Sequence, residues 1–249
     1  MNKTKYLCSC SGGKDSCAQV ILAHLHDEPL DEIIFSEVMF SENVSGEYPE
    51  HMDFIHNTCI PLFTSWGYPF KILRSDKTYL DCFLHRVYRT KHIDRIGKHS
   101  GFPMAGRCNI NRECKVKPIN QYLAGMHPSG YVQYIGIAVD EPERLARLRC
   151  NQISLLEKYN LTEQNAYDLC KKYGLLSPLY QFAKRGGCWF CPNATMQELR
   201  YLYDKHPDFF RTLLKLEETP DLLGYMFNTL KRRSLHDVQR IFENEDNKT

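Results

Sequence analysis

Short apolar runs alternate with stretches of helical periodicity through the first 140 or so residues. Tyr6–Cys10 is a compact apolar run that reads as a buried strand. After the polar SGGKDS segment, CAQVILAHLH sets Cys17, Val20, Ile21 and His24 at helical spacing. Ile33–Phe40 reads as a second strand, Pro49 opens a helical stretch to about Trp66, and Gly67 and Pro69 punctuate before a third strand, Phe70–Leu73. A helix is predicted over Tyr79–Tyr88. A loop follows, in which Gly97, Gly101, Pro103 and Gly106 break regular structure. A short helix covers Ile119–Ala124, and Tyr131–Val139, YVQYIGIAV, reads as a central strand. Strands alternating with helices predict βαβ units and an α/β fold with a mostly parallel sheet and flanking helices. Beyond residue 150 the pattern turns helical: Thr162 precedes Asn165–Lys172 as a capped helix, and helices dominate through Phe242. The expected division is an α/β domain over 1–150 and a mainly helical portion over 151–249.

Composition narrows the class. Of 249 residues 43% are hydrophobic and 25% charged, enough to fill a core, so disorder is expected only at the ends, as in the terminal ENEDNKT. No apolar run is long enough to cross a bilayer, and the N-terminus lacks the apolar stretch of a signal peptide. Eleven cysteines, an odd count without regular spacing, argue against a disulfide framework and for a reducing, cytoplasmic location. Cys59, Cys82 and Cys170 are expected as buried thiols. Charge is uneven: between Arg86 and Lys117 nine Lys and Arg face only Asp94 and Glu113, within a chain of net charge +2. A local basic block suggests an anionic partner at one place.

The most informative residues are Ser11-Gly12-Gly13-Lys14-Asp15-Ser16, between a predicted strand and a predicted helix. Two glycines allow a tight turn whose N–H groups approach a phosphate, and the helix N-terminus adds donors and partial positive charge. Ser11 and Ser16 offer hydroxyl donors and Lys14 a full charge. The segment is neither a Walker A box nor a dinucleotide fingerprint. SGGKDS resembles the signature of the PP-loop ATP pyrophosphatases (adenine nucleotide alpha hydrolase-like), which cleave ATP between its α- and β-phosphates. The resemblance implies that Ser11 to Ser16 grip the β- and γ-phosphates, that Lys14 and Asp15 are catalytic, and that Mg²⁺ bridges the phosphate oxygens.

Cys188-Trp-Phe-Cys191 is a C-x-x-C unit, and Cys108 and Cys114 form an upstream pair five residues apart. Four thiolates in two pairs suit a tetrahedral Zn²⁺ or a 4Fe–4S iron–sulfur cluster. Further segments resemble the phosphoadenosine phosphosulfate (PAPS) reductase-like family: GFPMAGRC with KVKP, the Gly136–Arg144 stretch GIAVDEPER, and LLSPLY before the C-x-x-C unit. The resemblance spans about residues 6 to 200. At the end of the fourth strand, Asp140 and Glu141 suit Mg²⁺ or ribose hydroxyls, and Arg144 a bidentate phosphate or sulfate clamp. Arg89, Arg107, Lys115 and Lys117 are the candidate substrate contacts. With Tyr88 and Phe102 for stacking, the basic loop suits a nucleic acid or a single nucleotide equally.

Two departures separate the chain from sulfonucleotide reductases. No cysteine follows Cys191 in the remaining 58 residues, where those reductases carry their nucleophile, and their phosphate loop usually lacks Lys-Asp. The expected activity is therefore cleavage of ATP to AMP and pyrophosphate, adenylylating an acceptor for sulfur or nitrogen transfer, with a sulfur donor as a further partner. Reduction of a sulfonucleotide through Cys108 or Cys114 is the alternative. A non-catalytic nucleotide or metal sensor is the third reading, which the intact SGGKDS disfavours. Oligomeric state and acceptor stay open.

Overall fold

The computed structural model describes residues 4–103, 108–125, 130–184, 186–228 and 231–247. Two units emerge, and neither is contiguous. The first comprises residues 1–37, 48–74 and 116–186; the second comprises 38–47, 75–115 and 187–249. Each draws on both sides of residue 150, so the division expected there is not where the structure falls apart into units.

The first unit is built on a five-stranded, all-parallel sheet: β1 (Lys5–Ser9), β2 (Glu32–Glu37), β3 (Phe70–Arg74), β4 (Tyr131–Ile135) and β5 (Gln152–Ile153), in the order β3-β2-β1-β4-β5. Both faces are covered, so β2 reads as a continuous apolar run, Ile33, Ile34 and Phe35, rather than an alternation. The pleat still sorts them. Cys8, Ile33 and Phe35 pack with α1 (Lys14–Leu25), the Pro49–Ser65 helical stretch and the Glu163–Lys172 helix, while Leu7, Ile34 and Leu73 pack with Leu123 of the Lys117–Ala124 helix. The chain adds β2 and β3 on one side of β1, then returns to lay β4 on the other. This places a topological switch point at the carboxyl ends of β1 and β4.

Several elements are shorter than predicted. β4 stops at Ile135, because Gly136 then runs against the start of α1. The Pro49 helix contains a wide π turn, Ile55–Cys59, just ahead of Pro61, whose missing N–H cannot join the regular ladder.

The second unit holds an aromatic core of Phe40, Tyr79, Phe83, Phe102, Trp189, Phe190 and Phe227. Helices Met196–Lys205, Pro207–Glu217 and Leu235–Asp246 complete it. The predicted Tyr79–Tyr88 helix ends at Phe83, because the following residues pair across the chain: Val87 N–H donates to Lys98 O and Ser100 N–H to His85 O, each at 2.9 Å. Gly101, expected to break structure, instead sits in a short strand, His99–Gly101, parallel to Leu222–Gly224. A Cβ at Gly101 would lie 2.5 Å from Gly224 O, a contact only glycine permits. Among the described residues no helix is long and apolar enough to cross a membrane.

Candidate nucleotide site and thiol cluster

The loop after β1 is the centre of the first site. Gly12 has φ +74°, and a Cβ there would meet Ile55 at 2.6 Å and the His51 ring at 2.7 Å, so conformation and space both demand glycine. Gly13 caps α1 in an extended conformation and Lys14 opens the helix. Ser16 Oγ accepts from Ser11 N–H at 3.1 Å and donates to Gly13 O at 2.9 Å. Its proton is thus used in shaping the loop. His51, buried, reaches the loop from the Pro49 helix. Its Nε2 lies 2.9 Å from Ser11 O and its Nδ1 2.9 Å from Ser177 Oγ. A carbonyl can only accept, so Nε2 carries the proton. No sequence pattern singled out His51, since its role depends on a contact between distant segments.

Lys14 is held from two sides. Its Nζ lies 2.8 Å from Asp15 Oδ1 and 2.9 Å from Glu163 Oε1, and its backbone N–H donates to Tyr180 Oη at 2.9 Å. Burial pulls the Lys14 ammonium down, but Asp15 and Glu163 outweigh it and hold its pKa above the usual lysine value. Burial raises the Asp15 carboxyl, and Glu163 and Glu141 add to this against the opposing Lys14. Burial also pushes the Tyr180 phenol up to about 12, so it stays protonated at neutral pH. Glu163 and Tyr180 lie beyond residue 150 in sequence yet belong to the sheet unit. Tyr180 was legible only as part of LLSPLY, and Glu163 only as the first residue of a capped helix.

The turn after β4 faces the same loop. A Cβ at Gly136 would lie 2.6 Å from the carbonyl carbon of Asp15, so the two segments are in van der Waals contact. Asp140 accepts from Glu163 N–H at 3.0 Å through Oδ1 and anchors the N-terminus of the Glu163–Lys172 helix. Glu141 pairs with Arg144 through one oxygen, and its Oε2 is buried without a partner. Ser11 to Ser16, Asp140 and Glu141 thus lie on neighbouring segments of the first unit, and Arg144, half-exposed, engages Glu141. Among the described residues no three His, Cys, Asp or Glu side chains are arranged to hold a metal ion by themselves. Mg²⁺ commonly needs only one or two carboxylates beside substrate phosphates, and the orphan Glu141 oxygen next to Asp15 fits that pattern.

The thiols gather in the second unit. Cys188 and Cys191 span one turn, with Cys191 N–H donating to Cys188 O at 3.0 Å, and Trp189 N–H and Nε1–H donate to Gly46 O and Ser45 O. Burial raises the Cys188 thiol most, with Glu47, Cys191 and Cys108 adding and Lys115 opposing. The Cys114 thiol is raised by its contact with Cys82, by burial and by Cys188. Cys188 thus interacts electrostatically with Cys191, Cys108 and Cys114, and Cys108 is exposed. Cys82 is a fifth thiol at 4.0 Å from Cys114 Sγ, buried as expected but not singled out for this role. Glu47 Oε1 and Tyr79 Oη are buried there without hydrogen-bond partners. These thiols sit in one unit, but among the described residues no three of them are arranged to hold a metal ion.

Among the candidate substrate contacts, Arg89 and Lys115 belong to the second unit, Lys117 to the first, and Arg107 lies outside the described residues. Phe102, expected as a stacking surface, is buried against Phe83 and Phe227, whereas Tyr88 is 74% exposed. No protein-family model matches the chain, and no curated protein matches it.

Proposed function

We propose that the chain is an adenine-nucleotide-using enzyme of the PP-loop ATP pyrophosphatase type, nearest the PAPS-reductase-like branch. It cleaves ATP to AMP and pyrophosphate and adenylylates an acceptor for sulfur or nitrogen transfer. One observation carries the reading: a glycine-shaped loop at the carboxyl end of β1, beside the switch point, holds Lys14 between Asp15 and Glu163 and against the β4 turn.

In this reading the loop and the N-terminus of α1 receive the β- and γ-phosphates. Lys14 exchanges its carboxylate partners for phosphate oxygens, and Tyr180 yields the Lys14 N–H to a phosphate oxygen. The acceptor's nucleophilic atom bonds to the α-phosphorus, the bond to the bridging oxygen of the β-phosphate breaks, and that oxygen keeps the electron pair and leaves with pyrophosphate. Lys14 neutralises the charge that grows there. Mg²⁺ held by Asp15 and Glu141 would shield the phosphate oxygens. Cys108, Cys114, Cys188 and Cys191 are the proposed donors to a zinc ion or an iron–sulfur cluster on the strength of the sequence resemblance, and a chain with eleven cysteines and no disulfide framework fits a cytoplasmic setting.

Pyrophosphate release from ATP with Mg²⁺ tests this. Lys14→Ala is expected to slow release by roughly 10²-fold or more. Wild-type turnover in that variant, or tighter binding of a sulfonucleotide than of ATP, would overturn the reading.

A further inference from the structure

Residues 85–100 of the second unit form a hairpin whose sides are joined by Val87 N–H to Lys98 O, Gly97 N–H to Val87 O and Ser100 N–H to His85 O, each at 2.9 Å. Arg86 braces it internally, its Nη1 donating to Gly97 O at 2.8 Å. A single 3-10 turn, Ile93–Arg95, forms the tip, with Ile93 82% exposed. Arg86, Arg89, Lys91 and Lys98 stand along the two sides and Arg95 in the tip turn, opposed only by Asp94 of that turn.

What sets these cations apart is their clustering, five within residues 86–98. Elsewhere Arg74, Arg112, Arg144 and Arg200 each have a carboxylate partner. In the hairpin, among the described residues, none of the five cations has a carboxylate within ion-pair distance. A folded element that leaves five neighbouring cations unpaired is complementary to a polyanion with regularly spaced charges. Tyr88 stands between Arg86 and Arg89, 74% exposed, with its ring edge-on to His85 at 6.2 Å, an arrangement that leaves it able to stack on an unpaired base. An anionic membrane would be met by basic residues ringing an apolar tip. Here four of the five cations lie along the sides rather than around the tip, and the exposed apolar side chains there are only Ile93 and Ile96.

We infer that this hairpin is a binding surface for single-stranded nucleic acid, or for an unpaired segment of a folded one. The cations track the phosphates and Tyr88 stacks on a base. The surface names a partner class for the chain without depending on the phosphate loop.

Fluorescence anisotropy of the full chain with a labelled single strand of about 20 nucleotides, DNA or RNA, tests it without ATP. Affinity is expected to fall steeply with salt. The triple variant Arg89→Ala/Lys91→Ala/Arg95→Ala should weaken binding about tenfold or more at low salt and flatten the log–log salt slope by about 2. Tyr88→Ala should weaken it about fivefold or more, and Tyr88→Phe should not. All four positions are exposed, and matched melting temperatures show that the variants fold. No binding at low salt, binding unchanged in the triple variant, or hairpin-dependent binding to phosphatidylserine vesicles without oligonucleotide binding would each overturn the inference. A chain that binds oligonucleotide but releases no pyrophosphate leaves the inference standing and removes the proposed activity instead.

Discussion

Asp15 shows how one residue can serve a site at a cost to the fold. Its carboxyl lies above the ordinary aspartate value because burial, with Glu163 and Glu141, outweighs Lys14. A carboxyl whose folded pKa exceeds its unfolded value keeps a proton in the native state that the unfolded chain has released, so stability falls as pH rises through that window. Asp15→Asn removes the buried charge. In urea unfolding, the midpoint of the variant relative to wild type is expected to climb as pH is raised from about 4 toward 7. A difference that stays flat or shrinks would show that Lys14, not burial, dominates. Pyrophosphate release should be lost in the same variant. Lys14 works in the other sense: its raised pKa keeps the ammonium charged through neutral pH, and the stability that its charge contributes is lost as pH rises through that pKa.

Elements place these residues through their ends. The Glu163–Lys172 helix begins with a capping box in which Thr162 Oγ1 accepts from Asn165 N–H and Asn165 Oδ1 accepts from Thr162 N–H. That cap fixes the first helical residue, Glu163, whose side chain meets Lys14 and whose N–H meets Asp140. Thr162→Ala removes one cap bond, about 1 kcal/mol. For a chain of this size the melting temperature should drop by about 2–4 °C. An unchanged melting curve would mean that Asp140 alone is enough to hold the helix start. Loss of a regular turn matters as much as its presence. The π turn at Ile55–Cys59 follows from Pro61, while the Tyr79 helix yields after Phe83 to the pairing of residues 85–100, which local propensity could not foretell.

At the scale of the molecule, the chain leaves and re-enters the sheet unit at residues 37/38, 47/48, 74/75, 115/116 and 186/187. No cut near residue 150 yields a whole unit: a fragment of residues 1–150 lacks the Glu163–Lys172 helix and Tyr180, and the C-terminal helices lack Phe40, Tyr79 and Phe83. That fragment is therefore expected to show no cooperative thermal transition by circular dichroism. A sharp transition would mean that the sheet and α1 are stable without the segments that return to them. The discontinuous units were not legible in the pattern that placed a division at residue 150, because periodicity reports local structure and is silent about which distant segments share a core.

The sequence by itself determined the strand–loop–helix at Ser11–Ser16, the parallel character of the sheet and the two cysteine pairs. Each of these is written in neighbouring residues: apolar runs, glycines at a tight turn, fixed spacings. It also marked the basic block, as charge that is local in the chain. Only the tertiary structure decided that Glu163 and Tyr180 return to Lys14, that His51 supports the loop, that Cys82 joins Cys114, and that Phe102 is core while Tyr88 is surface. Those contacts join residues up to 166 positions apart, and burial or pairing over such distances depends on packing between elements rather than on any pattern along the chain.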